Sequence, residues 1–170
     1  MQTSTAPRIV GPHDGKAGSL GSIGVRFMID TEETHAGGFS LVEHPLPPRR
    51  LAAPLHRHTR EDEYSYVLEG RMGALLGDDV VYAEAGDLVH KPRDQWHTFW
   101  NAGDEPCRIL EIIAPGGFEK FFAELVDVTA ANERRPNPEW LAAASTRYGI
   151  DFDFESIPGL CERFGVGFGD

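Results

Sequence analysis

The chain has 170 residues, with 16 lysines and arginines against 27 aspartates and glutamates, for a formal net charge of −11. A hydrophobic share of 41% and a charged share of 25% belong to an ordinary globular chain, long enough to bury one core without disulfide staples. The acidic balance offers no basic face to phosphate backbones or anionic lipid, so nucleic-acid and membrane binding are excluded as first readings.

No apolar run approaches the roughly 20 residues of a membrane span. The opening Met1-Gln2-Thr3-Ser4-Thr5 has no basic segment followed by an apolar one, so a secretory signal is not expected there. Cys107 and Cys161 lack metal or redox spacing, and a reduced, cytoplasmic setting is the expectation.

Residues 1–22 are small, polar and glycine-rich, and read as a flexible N-terminal arm. The next stretch, 23–115, is a train of short runs at 23–29, 38–44, 53–58, 63–69, 72–76, 80–83, 87–90, 97–101 and 108–114. Turn residues divide them, among them Gly70, Gly77-Asp78-Asp79, Gly86-Asp87 and Pro92. About nine short strands at even spacing, with no helical pattern between them, predict an all-β sandwich or barrel and exclude parallel βαβ units. The period changes over 116–170. Phe118, Phe121, Phe122 and Leu125 recur at steps of three and four, which predicts an amphipathic helix whose aromatic stripe packs into the core. Asn137 as N-cap, Pro138 behind it and Gly149 as stop predict a second helix, and Gly165 closes a short third one over 157–164. This helical extension is expected to pack on the barrel or at a dimer interface.

The histidine pattern carries the chemistry. His56 and His58 are one residue apart, so on a strand they face the same side. A polar turn, Thr59 to Asp62, leads into Glu63 at the start of the next strand, and His97 opens a later one. Three imidazoles and one carboxylate suit a divalent first-row metal. Taken alone, a His-x-His pair is more often a solvated or core pair than a ligand pair, and His13, His35, His44 and His90 show that this chain uses histidine freely.

The run His56-Arg57-His58, four residues, Glu63, six residues, Gly70 resembles the first motif of the cupins. Gly86, five residues, Pro92, then His97, three residues, Asn101 resembles the second. Position 50 is Arg and position 94 is Asp where those motifs usually carry glycine, although Asp tolerates a left-handed turn better than most residues. The resemblance implies a double-stranded β-helix (jelly-roll) barrel binding one divalent transition metal (Fe, Mn, Ni, Cu or Zn) through His56, His58, Glu63 and His97. Glu61 or Asp62 would replace Glu63 in a shifted register.

Strand alternation then turns Ser65 and Val67 inward with Glu63, and Gln95 and Phe99 inward with His97, as candidate pocket residues for a small, partly apolar molecule. Glu111 is left open between the two faces of its strand. Tyr64, Tyr66, Leu68 and Trp100 face outward, and this much apolar surface predicts a covering helix or a homodimer. The resemblance to flavonol (quercetin) dioxygenase-like small cupins implies a metal-dependent oxygenase with Glu63 as catalytic base. The alternatives are a metal-assisted isomerase or lyase of a keto- or hydroxy-acid, anchored by Arg49, Arg50, Arg57 or Arg60, and a non-catalytic ligand-binding cupin.

Overall fold

Glycine turns and alternating burial build two antiparallel sheets that face each other. The computed structural model describes residues 7–131 and 136–169. One sheet holds β1 (Ala17–Ser19), β2 (Gly24–Ile29), β3 (Ser40–Leu46), β10 (Cys107–Ala114), β5 (Asp62–Glu69) and β8 (Leu88–Lys91), in that spatial order. The other holds β11 (Ile150–Asp153), β4 (Leu55–His58), β9 (His97–Asn101), β6 (Arg71–Leu76) and β7 (Asp79–Glu84). This is the jelly-roll double-stranded β-helix expected from the sequence. All nine expected strands are present, most with ends one or two residues away from the runs.

Strict alternation sets which side chains enter the barrel. On β10, Cys107, Ile109, Glu111 and Ile113 are buried while Arg108, Leu110 and Ile112 are only partly so. On β5, Glu63, Ser65 and Val67 are buried, and Tyr66 and Leu68 are exposed. Val67, Met72, Phe99 and Ile109 fill one end of the space between the sheets. Asp94 takes a left-handed φ of 64° and donates its N–H to the His58 carbonyl at 2.7 Å. The turn expected of it thus forms without glycine, and it ties the approach to His97 onto the strand of His58.

The tail supplies α1 (Glu119–Ala131), α2 (Pro138–Tyr148) and α3 (Ser156–Phe164). Asn137 caps α2 by accepting from the Trp140 N–H, and Gly149 ends it at a φ of 68°. Trp100 faces out of the barrel but is buried, because Phe164 of α3 stacks on it at 3.9 Å between ring centres.

Two short strands fall outside the expected limits. Ala17–Ser19, inside the expected arm, pairs with β2; a three-residue Ala-Gly-Ser run carries no alternation by which to see it. Residues 1–6 of that arm lie outside the described residues. Ile150–Asp153, inside the helical extension, pairs with β4 in the register Ile150↔His58 and Phe152↔His56. The tail therefore completes the sheet that carries three of the candidate ligands.

Candidate metal centre

The two sheets bring the four expected ligands together. His56 and His58 alternate inward on β4, His97 is the direct partner of His56 on β9, and Glu63 reaches across from β5 in the other sheet. All four are buried, and one ligand atom from each lies within 4.8 Å of all the others. His58 Nε2 is 3.5 Å and His97 Nε2 is 3.4 Å from Glu63 Oε2.

The outer nitrogens fix the tautomers. His56 Nδ1 donates to the Pro54 carbonyl at 2.9 Å, His97 Nδ1 to the Gln95 carbonyl at 3.0 Å, and His58 Nδ1 to Glu61 Oε1 at 2.6 Å. A carbonyl or carboxylate only accepts, so each Nδ1 carries the hydrogen and each Nε2 keeps its lone pair. Three lone pairs and a carboxylate then converge, and buried His97 Nε2 has no hydrogen-bond partner. Among the described residues, the only protein cation in contact with these four groups, Lys91, reaches Glu63 and none of the imidazoles, and three imidazole nitrogens with a carboxylate suit a divalent transition metal. The residues fit the group.

The electrostatics agree. Burial, with the neighbouring His97 and His58 rings, pushes His56 well below the usual histidine range, and burial lowers His97 too. Both imidazoles are thus neutral, as ligands must be. Burial by itself would raise Glu63, but Lys91 together with His58 and His97 outweighs it and holds the carboxyl well below the carboxylate range. Lys91 Nζ sits 3.0 Å from both Glu63 Oε2 and Glu111 Oε2. Burial opposes the charge on Lys91, yet the two carboxylates raise it above the usual lysine value. Burial also lifts Glu111 to about 7, against the pull of Lys91.

Glu61 and Asp62, the alternatives for Glu63, have other tasks. Glu61 orients His58, and Asp62 forms a surface pair with Arg93 at 2.8 Å.

A cavity of about 470 Å³ opens onto His56, His58 and Glu63. Much of its wall comes from the tail: Phe118, Phe121, Phe122 and Leu125 from α1 and the residue before it, Leu141 from α2, and Phe152 from β11. The aromatic stripe does join a core cluster, but it also faces this space, and the Phe118 ring meets His58 edge-on at 4.3 Å. Of the expected pocket residues, Phe99 is on the wall. Ser65 points inward and donates to Glu111 Oε2 at 2.8 Å, and Val67 is packed in the barrel core. Gln95 contributes its carbonyl to His97, while its side chain lies by the Gly77 turn. Neither Ser65, Val67 nor Gln95 lines the cavity.

Sequence reasoning missed His44, Lys91 and Glu111 as members of the site. His44 lines the cavity, gives its Nδ1 hydrogen to the Gly24 carbonyl at 2.9 Å, and is pushed by burial down to about 4. His90 faces outward and stacks on Tyr64 at 4.8 Å.

Residues 43–113 match the family model of the cupin domain. Over 56 residues the chain is 34% identical to an uncharacterized protein of Methanocaldococcus jannaschii, covering 33% of this chain and 45% of that one. Over 60 residues it is 33% identical to the polyketide synthase CurC of Streptomyces cyaneus, covering 35% of this chain and 39% of that one. The matched stretches span less than half the length of these curated relatives. Among solved structures, the polyketide cyclase RemF of Streptomyces resistomycificus superposes with a TM-score of 0.55 at 28% identity, covering 65% of this chain and 80% of that one. No helix among the described residues is long and apolar enough to cross a membrane.

Proposed function

From residues 43–113 as a domain of the cupin superfamily, we propose that this chain is a metal-dependent enzyme acting on an apolar, aromatic carbonyl compound of the polyketide type. The observation that carries the reading is the aromatic cavity that opens directly onto three candidate ligands. Its volume is that of a site for a drug-sized molecule. The likeness to RemF and CurC supports the same substrate class.

A keto- or hydroxy-acid substrate has less support. Such a molecule needs a cationic anchor, and no arginine is among the described residues of the wall. Arg49 pairs with Asp104, Arg50 donates to the Gly169 carbonyl, Arg57 pairs with Asp151, and Arg60 donates to the Arg147 carbonyl.

His56, His58, Glu63 and His97 would hold the metal, which would supply Lewis-acid polarisation of a substrate carbonyl. The chain's own groups do the rest. Lys91 keeps Glu63 ionised, which suits Glu63 better to ligation than to taking a proton. Phe118, Phe121 and Phe152 keep water from the reacting face and orient a flat substrate. The oxygenase reading uses the same four residues and the same wall, so a requirement for dioxygen is what separates the two.

Turnover of a panel of aryl β-diketones by metal-loaded protein, under argon and under air, tests the proposal. Turnover under argon that is lost in His58→Ala is the expected result. Turnover only in air moves the assignment to an oxygenase. Tight binding without turnover in either gas makes the chain a binding protein and overturns the enzyme reading.

For the assembly we propose a homodimer. The tail covers Trp100, yet Tyr66, Leu68 and Leu88 remain 39%, 37% and 56% exposed on the outer face of β5 and β8. Among the described strands, β8 is also the last of its sheet.

A further inference from the structure

One polar group in the cavity wall has no answer within the protein. Glu111 lies mid-strand on β10 and is 1% exposed. Its Oε2 accepts from Ser65 Oγ at 2.8 Å and from Lys91 Nζ at 3.0 Å. Its Oε1 is buried without a hydrogen-bond partner, and the residue lines the cavity. An unmatched buried carboxyl oxygen bears its whole desolvation cost, so such an atom in a ligand cavity points to a ligand group that matches it.

The carboxyl cannot turn away to relieve this. Lys91 is itself held by Glu63 from the other side, and Ser65 is fixed on β5 opposite Glu111 in the sheet register. Both donors hold the same oxygen and leave the other, Oε1, without a partner. His44 adds to the pattern. Its Nδ1 hydrogen is spent on Gly24, so only an acceptor nitrogen remains for the cavity. Beyond the metal ligands, this wall therefore offers acceptors and calls for a ligand that donates.

Building on the reading that the cavity takes an apolar aromatic molecule, we propose that Glu111 binds a hydroxyl group of the ligand through Oε1. The ligand class is then a phenol or enol, not a hydrocarbon or an ether. The aromatic wall holds the ring, and the acceptor wall selects the hydroxyl.

Calorimetric titration of the purified full chain with 1-naphthol and 1-methoxynaphthalene, at about pH 8, tests this directly. The wild type should bind the naphthol at least about tenfold more tightly than its methyl ether, and the preference should survive chelation of the metal. In Glu111→Gln the amide oxygen takes the bonds from Ser65 and Lys91 and turns an NH₂ donor to the cavity. The preference should then fall below about threefold, with binding of the ether retained as evidence that the variant is folded. Equal binding of both probes by the wild type overturns the role of Glu111 and leaves the cavity reading standing. A preference kept in Glu111→Gln, or lost on chelation, assigns the hydroxyl to the metal and overturns it as well. Failure of both probes to bind overturns the aromatic-cavity reading, and this inference with it.

Discussion

The Glu61 carboxylate never reaches the ligand cluster, yet it decides which nitrogen of His58 is free. In Glu61→Gln the amide can present its NH₂ to Nδ1 and stabilise the tautomer with hydrogen on Nε2, aimed at the metal. Metal affinity should fall about 10- to 100-fold, read by competition with a fluorescent chelator, and an unchanged affinity would show that His58 does not depend on this partner. His44 yields a pH prediction. Burial holds it at about 4 in the folded chain, against an ordinary value of 6.5. Between those limits the unfolded chain takes up the proton and the folded chain does not, so stability falls as pH drops from 6.5 towards 4. The loss is on the order of 3 kcal/mol from this residue. His44→Gln, which can still donate to Gly24, should lose correspondingly less in denaturant titrations across that window. The ligands were legible because three of them lie within one short motif and the fourth in another. Glu111, Lys91 and His44 were not, since each stands alone on its own strand and acquires meaning only from what faces it. Lys91 shows the margin. The register Glu63↔Lys91 turns Lys91 inward and its neighbour His90 outward, and no local motif states which of the two is inside.

Among the elements, β11 carries little sequence signal and has a large structural effect. Ile150-Asp151-Phe152-Asp153 alternates for only two periods between two helices, so the helix stop at Gly149 was readable but the strand that follows it was not. Gly149 joins the two events. Its carbonyl accepts from the Thr59 N–H at 2.8 Å and the Thr59 hydroxyl at 3.0 Å, which locks the end of α2 to the turn after His58. A Cβ at this position would meet Thr59 Oγ1 at 2.6 Å and Arg60 Nε at 2.8 Å, at a φ of 68°. Gly149→Ala should therefore cost about 1–3 kcal/mol and loosen β11 from β4. Faster hydrogen exchange at residues 56–58 and 150–153 would report that loosening. If exchange rises only within α2, the tie between helix end and sheet edge is weaker than the geometry implies. The barrel strands were legible for the opposite reason: alternation and glycine turns repeat along 23–115, and every repeat supports the same register. The helices were legible from caps and period, but a helical period only says which side chains leave water. It cannot tell the filling of a core from the wall of a cavity, and Phe118 and Phe121 serve both.

At the scale of the whole molecule, charge and apolar surface oppose each other. Each chain carries a formal charge of −11, so two copies repel until salt screens them over a Debye length of about 8 Å at physiological ionic strength. Against this stands the open edge of β8 with Leu88, Leu68 and Tyr66 beside it, a surface that strand pairing and burial would both stabilise. These two terms set the sign of the salt response. A dimer held by apolar contact between acidic partners should tighten as salt is raised, whereas one held by ion pairs would loosen. Sedimentation equilibrium should give twice the chain mass of 18.8 kDa, with a dissociation constant that falls between low and physiological salt. Leu88→Asp adds charge within the patch and removes its most exposed apolar side chain, so it should weaken the dimer about tenfold or more. The metal content of that variant should not change, because the ligands are buried inside the barrel. A wild type that sediments as a monomer at every salt concentration removes the dimer. A wild type and variant that dimerise alike move the interface off β8.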